Sequence, residues 1–175
     1  MVLFRVQGQT VKVTLDREEA LLCHISAWIM AKKYSWNGTG TQRTYTKDKT
    51  LHESIAQDAE AIGSEWAVAK YFNLAFDPFE EKGKEKADVG KGIEVRWTKY
   101  SEGQLIVHEY DRSTDIAVLV TGNSSTAYNI VGWIPIAIAK RDKYRHSRQP
   151  NWWVSQPNLQ PIENLVRSNY GTDAI

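Results

Sequence analysis

Cysteine is nearly absent from this chain. Cys23 is the one cysteine among 175 residues, which excludes an intramolecular disulfide and any cysteine-rich zinc site. The four histidines lack the HxxxH or HExxH spacing of zinc hydrolases, and no serine stands in a Gly-x-Ser-x-Gly context. These absences argue against disulfide scaffolds, the common zinc hydrolases and the serine hydrolases.

Long hydrophobic runs and an excess of one charge are also lacking. No apolar run approaches the roughly 20 residues that span a bilayer, and the apolar alternation near the start ends too soon for a signal peptide. Lys and Arg number 22 against 21 Asp and Glu, so the formal net charge is only +1. We therefore expect a cytoplasmic protein that does not bind membranes, and any attraction for nucleic acid must come from local basic patches.

The composition is that of one globular domain. Hydrophobic residues make up 42% and charged residues 25%, which is ordinary for a folded protein and argues against disorder. A chain of 175 residues can bury a core without the help of disulfides. We interpret residues 1–175 as a single domain.

Two capping boxes predict two helices. Asp16 with Glu19 opens the first helix, which extends to about Tyr34. Thr50 with Glu53 opens the second, in which apolar residues recur at intervals of three and four and form one stripe. Each helix is therefore expected to bury one face.

The remaining patterns predict strands, a loop and one close contact. Alternating apolar residues between Val2 and Leu15 predict a hairpin or bent strand, and residues 35–49 predict a long loop. Gly63 lies inside the second helix, where it predicts a kink or the close approach of another element. Helices followed by strands indicate an α/β or α+β sheet domain. The predicted strands are 93–97, 105–108, 116–120 and 128–134.

The segment from Lys86 to Trp97 carries the most informative residues. Asp88 lies in a glycine-bearing turn before the strand, and Glu94 shares one face of the strand with Arg96 because side chains alternate. Two carboxylates at the start of a strand are hard oxygen ligands of the kind that Mg²⁺ or Mn²⁺ prefers. The spacing leaves an alternative open, in which Glu94 and Arg96 form a surface ion pair and Asp88 is a turn residue.

This segment resembles the PD-(D/E)XK nuclease superfamily, of the small phage and bacterial type. The motif is an Asp, a variable gap, and then Glu/Asp-x-Lys on a strand. Asp88 matches the Asp, Glu94 matches the acidic residue, and Arg96 occupies the position of the lysine. The superfamily commonly supplies a further Glu from the preceding helix, and Glu65 in the run Gly63–Tyr71 matches it. With the later predicted strands, the resemblance covers about residues 50–140.

The resemblance implies a fold and a division of the chain. The fold would be α/β, with a restriction-endonuclease-like central mixed sheet flanked by helices. Residues 1–49 would form an N-terminal hairpin and helix addition, residues 50–140 the core, and residues 141–175 a basic and aromatic C-terminal segment. Members of this kind act in the cytoplasm of a bacterium or a phage-infected host cell.

The resemblance also implies an activity and a metal. The expected function is hydrolysis of DNA phosphodiester bonds by a nuclease that depends on Mg²⁺ or Mn²⁺. Asp88, Glu94 and the carbonyl of Val95 would hold the ion with help from Glu65, and Arg96 would join the three carboxylates as a catalytic residue. Many such nucleases pair as homodimers, and the sequence leaves the oligomeric state open.

Arg96 is the main departure from the motif. Arginine stays protonated and cannot act as a base, although it can bind a phosphate group. Lys99 could replace the motif lysine only if a bulge interrupted the strand. A catalytically inactive, nuclease-like module that binds nucleic acid or serves in assembly is therefore the alternative function.

Basic residues interleaved with aromatic residues predict contacts with the DNA backbone. They fall in the predicted loop, after the motif strand and in the C-terminal segment. Trp152 and Trp153 follow them, either as a stacking platform for bases or as a hydrophobic closure of the C-terminal segment. The predicted nucleic-acid-binding residues are Arg43, Lys47, Lys49, Lys99, Arg141, Lys143 and Arg145.

Overall fold

The computed structural model describes residues 10–34, 49–83 and 85–175. The predicted strand around Val2 to Val6, most of the predicted loop, and Arg43 and Lys47 lie outside the described residues. The strands are β1 Val11–Thr14, β2 Ile93–Thr98, β3 Leu105–His108, β4 Ile116–Thr121, β5 Ala127–Pro135 and β6 Asn151–Val154. The α-helices are α1 Arg17–Tyr34, α2 Leu51–Tyr71, α3 Ile136–Ala139 and α4 Asn169–Ala174.

Four strands form a mixed sheet in the order β1-β5-β4-β2. β4 runs antiparallel to β5 and parallel to β2, and β1 runs antiparallel to β5 at the other edge. All six residues of β4 are buried, as expected for the apolar run in the centre of the sheet. The order leaves one edge of β2 without a strand partner in this sheet.

The two long helices lie on one face of the sheet, and both begin as predicted. The Asp16 carboxylate accepts from the Glu19 N–H at 2.8 Å, and the Thr50 hydroxyl caps α2 through the Glu53 N–H at 3.2 Å. α1 packs on α2, and α2 packs on β1, β2 and β5. Their apolar stripes meet the even-numbered residues of β4, including Val118, in the larger of two cores.

The other face of the sheet is covered by a second, two-stranded sheet. β3 pairs antiparallel with β6, and with α3 these strands enclose a smaller core that includes Leu119. β6 contains Trp152 and Trp153, where no strand is predicted from the sequence. Trp152 packs against this smaller core. This contact agrees with a hydrophobic closure of the C-terminal segment, one of the two roles considered for the tryptophans.

The described helices include none that is both long enough and apolar enough to span a bilayer.

Candidate active site

The free edge of β2 presents backbone groups to a turn that carries Asp88. The Val95 N–H donates to the Asp88 carboxylate at 2.8 Å, and the Val95 carbonyl lies on the same edge, where it accepts from the Arg96 guanidinium at 3.3 Å. A strand residue points its N–H and C=O to the same side, so Val95 offers both to the edge. The aspartate therefore lies beside a backbone carbonyl, as the motif predicts.

The turn before β2 is built tightly. Val89 and Ile93 exchange two backbone hydrogen bonds, and Gly90 between them has a φ of +59°, a left-handed conformation that glycine adopts without strain. The Ala174 carbonyl of α4 accepts from the N–H groups of Lys91 and Gly92 at 2.9 and 3.1 Å. The position of Asp88 is thus fixed both by its own turn and by α4.

Arg96 connects the acidic side chains around the strand. Its guanidinium lies 2.7 Å from the Asp111 carboxylate, 3.4 Å from that of Glu94 and 3.8 Å from that of Asp88. The Nε–H group donates to the Ile106 carbonyl of β3 at 3.2 Å. These partners hold the guanidinium in one place at the junction of the two sheets.

Glu65 reaches the same cluster from α2. Its carboxylate lies 3.4 Å from the ammonium of Lys82, which also donates to the carbonyl of Asp88. Lys82 belongs to the segment that connects α2 to the Asp88 turn, and both charged side chains are mostly buried. Lys82 therefore joins the helix carboxylate to the turn.

A cleft of about 540 Å³ opens onto this cluster. Glu65, Lys82, Asp88 and Arg96 contribute to its lining, and the remaining walls come from α1, α2 and residues 76–81. The cluster is thus open to a ligand from one side. On its other side the core packs against β2.

Burial and mutual repulsion raise the pKa values of the three carboxyl groups. Burial, then Asp88, raises the pKa of Glu65 to about 8, and Lys82 opposes the shift. Burial, then Asp88, likewise raises the pKa of Glu94 to about 7 against the effect of Arg96. The pKa of Asp88 is also raised, chiefly by burial, although the Val95 N–H and Arg96 favour its ionised form. Such shifts are typical of functional clusters.

The structure brings together Glu65, Asp88, Glu94, Arg96 and the Val95 carbonyl. The other predicted residues lie elsewhere. β2 pairs with β4 without a bulge, so the exposed Lys99 follows the strand and does not replace the motif lysine. Lys49 precedes α2, and the C-terminal basic residues Arg141, Lys143 and Arg145 surround a short turn before β6.

Two residues of the cluster were missed in the sequence. Asp111 is buried, with a relative exposure of 6%, and its carboxylate accepts from the His108 N–H at 2.8 Å while it pairs with Arg96. Lys82 stands in the charged run from Glu80 to Lys86, in which no motif distinguishes one residue from the others. One available signal was that the chain between Glu65 and Asp88 must pass close to both residues.

The donor chemistry of the cluster fits a hard divalent cation. Three carboxylates and the Val95 carbonyl are the oxygen ligands that Mg²⁺ and Mn²⁺ prefer. Within residues 10–34, 49–83 and 85–175, no group of three His, Cys, Asp or Glu side chains is arranged to hold a metal ion. In this arrangement Lys82 and Arg96 provide the positive charge next to the carboxylates.

Comparisons with protein-family models, with curated proteins and with solved structures found no match to this chain. A functional assignment therefore depends on the chemistry of the cluster itself. Its distinguishing feature is that a helix, a turn and an edge strand supply charged groups to one cleft.

Proposed function

We propose that this protein is a nuclease of the PD-(D/E)XK type that hydrolyses DNA with Mg²⁺ or Mn²⁺. The observation that carries the proposal is the place of Asp88: it accepts from the Val95 N–H at the free edge of β2, and it lies near enough to Glu65 and Glu94 to raise the pKa of each. The order of these residues along the chain is that of the motif. A mixed sheet flanked by helices is compatible with a restriction-endonuclease-like fold.

The carboxylates and the Val95 carbonyl would hold the cation. When bound, the cation supplies Lewis acidity toward a phosphoryl oxygen and lowers the pKa of a coordinated water. The raised pKa values support this assignment, because the charge of a divalent cation would offset both the desolvation of the Glu65 and Glu94 carboxylates and their repulsion by Asp88. Asp88 is oriented for the task by the Val95 N–H.

Arg96 and Lys82 would together replace the motif lysine: Arg96 would bind the phosphate group, and Lys82 would transfer protons. Arg96 is held by Asp111 and the Ile106 carbonyl, so its fixed charge can stabilise a phosphate group without reorganising. Lys82 directs an ammonium group into the cleft between Glu65 and Asp88, where it can donate to a phosphate oxygen or to the attacking water. We assign to Lys82 the proton-handling role that an arginine cannot take.

One observation favours the alternative of an inactive binding module. Arg96 already pairs with Asp111 and Glu94, so it closes an ion-pair network that can stabilise the fold without catalysis. In that case the parent protein binds DNA and does not cleave it.

A cleavage assay separates the two functions. The substrates are plasmid, linear duplex and single-stranded DNA, each with Mg²⁺ or Mn²⁺. We expect Glu94→Gln and Lys82→Ala each to reduce cleavage by roughly 100-fold or more while the protein stays folded. Lys86→Ala is the matched control, because Lys86 lies in the same segment but pairs with the exposed Glu80. Its activity should equal that of the parent.

Two further measurements test the proposed site: the melting temperature with Mn²⁺, and the cleavage activity of Arg96→Lys. Millimolar Mn²⁺ should raise the melting temperature of the parent and raise it less in Glu94→Gln. If Arg96 is a phosphate clamp, Arg96→Lys should match or fall below the parent in activity; an inert parent that gains cleavage from this change supports the module instead. Parent cleavage that persists in Glu94→Gln, or an unchanged melting temperature with Mn²⁺, would contradict the proposed site.

A further inference from the structure

Helix α1 is apolar on two opposite sides. Its inner side packs on α2 and buries small residues such as Ala20, Cys23 and Ala27. A helix that is apolar all round is normally covered all round. The outer side has large apolar residues that are about half exposed in the described structure: Leu21 54%, Ile25 50%, Trp28 55% and Ile29 46%.

These residues form a narrow stripe along the helix. Residues 18, 21, 25, 28 and 32 follow one another at intervals of three and four, which is the spacing of the seam between two paired helices. Between residues 18 and 32 the stripe is about 21 Å long. We call it the outer stripe: Glu18, Leu21, Ile25, Trp28, Ile29 and Lys32.

The two ends of the outer stripe carry opposite charges. Glu18 is exposed at the amino end, where the first turn of α1 is acidic, and Lys32 is exposed at the carboxyl end, where the last turn is basic. Ile25 lies midway between them, seven residues from each. Rotation by 180° about an axis at Ile25 therefore exchanges the acidic end with the basic end.

We propose that a second copy of this chain docks on the outer stripe and forms an antiparallel α1–α1 pair. In a twofold dimer each contact occurs twice, so Glu18 would face Lys32 of the partner subunit and Leu21 would face Ile29 of the partner subunit. A parallel pair would oppose Glu18 to Glu18 and Lys32 to Lys32. The charge pattern thus selects one orientation and a self-complementary partner.

The pairing also concerns the cleft, because Ile29 contributes both to the outer stripe and to the wall of the cleft. A dimer formed through α1 therefore brings the walls of two clefts toward a common axis. The proposal itself does not depend on the nuclease function, since it rests on α1 alone.

Analytical ultracentrifugation from about 1 to 200 µM tests the dimer. We expect the parent to dimerise, and Ile25→Glu to raise the dissociation constant at least tenfold, because two carboxylates would meet at the axis. Val166→Glu is the control, since Val166 is 61% exposed and lies outside α1. Its dimer should be as tight as that of the parent, and circular dichroism should confirm that both variants fold.

A charge exchange tests the orientation. Glu18→Lys and Lys32→Glu should each weaken the dimer severalfold, and the double variant should restore the dissociation constant to within about twofold of the parent. A double variant that is no tighter than the single ones would overturn the antiparallel arrangement. A parent that is monomeric at 200 µM would overturn the proposal, whether residues 1–9 or another protein cover the stripe.

Discussion

Glu65 is the carboxyl group on which burial acts most strongly in the cluster. Its pKa is about 8 in the folded protein, against an ordinary value of 4.5 that applies when the chain is unfolded. Between these two values the folded state holds a proton that the unfolded state has released. The contribution of Glu65 to the stability of the metal-free protein therefore falls as the pH rises from about 4.5 to about 8.

Replacing this carboxyl group should remove that pH dependence. In the absence of divalent ions, we expect Glu65→Gln to raise the free energy of unfolding at pH 8.5 by roughly 1–4 kcal/mol, with little gain at pH 5. Urea denaturation of the parent and the variant at both pH values gives the difference directly. Glu102→Gln, in an exposed turn, should show no such difference. An equal effect of Glu65→Gln at both pH values would contradict the shifted pKa.

The sequence predicted those residues of the candidate site that belong to a recognisable motif. Asp88, Glu94, Arg96 and Glu65 were chosen from residue types and spacing. Glu65, Asp88 and Arg96 line one cleft, and Glu94 pairs with Arg96. Their catalytic roles stay a prediction. Asp111 was out of reach because it joins the cluster through the packing of β3 against β2, and no local pattern marks that contact.

Contacts between elements decide where α2 can lie on the sheet. Gly63 faces Tyr128 of β5, and a methyl group at that position would overlap the tyrosine hydroxyl. The sequence predicted a kink or a close approach at this glycine, and the structure shows the close approach. The Tyr128 side chain is almost fully buried, so it has no free space into which it can move.

A methyl group at this contact should destabilise the fold. We expect Gly63→Ala to lower the free energy of unfolding by roughly 1–3 kcal/mol, even though alanine favours a helix more than glycine does. Gly83→Ala is the control, because nothing lies within 4 Å of the added methyl group there. Its free energy of unfolding should stay within about 0.5 kcal/mol of the parent value. Greater stability of Gly63→Ala in denaturant titrations would refute the close contact.

The strands with a clear pattern of apolar residues could be predicted from the sequence. The bounds of β3 were predicted without error, and β2, β4 and β5 were predicted to within one or two residues. β6 was missed, since half-buried Trp152 and Trp153 give no clean alternation. The pairing of β3 with β6 was also beyond reach, because more than 40 residues separate the strands and only tertiary packing selects the partner.

On the scale of the whole molecule, the net charge is close to zero, so the proposed binding of DNA must depend on local basic groups. The C-terminal basic segment holds part of its charge against aromatic rings: Arg145 lies 4.6 Å from the ring centroid of Trp152, and Lys143 lies 4.5 Å from that of Tyr144. Both cations are exposed to solvent, and their contacts with the aromatic rings restrain their positions. Such a surface suits a phosphate backbone.

Loss of these charges should weaken DNA binding and its response to salt. For the triple variant Arg141→Ala, Lys143→Ala and Arg145→Ala, the slope of log affinity against log salt should flatten by roughly 0.9 per lost phosphate contact. Fluorescence anisotropy over a salt series measures the slope. A triple Ala variant at the exposed Lys12, Arg17 and Arg167 serves as the charge-matched control. Equal slopes for the two variants would place the basic segment outside the DNA interface.

The contact between α4 and the Asp88 turn has a consequence for protein synthesis. A chain under translation contains Glu65, Asp88 and Glu94 at least 80 residues before it contains Ala174, whose carbonyl accepts hydrogen bonds from the Lys91 and Gly92 N–H groups. Until that carbonyl emerges from the ribosome, the turn lacks two of its hydrogen bonds. A nuclease built in this order would not complete its active site before residue 174 has left the ribosome.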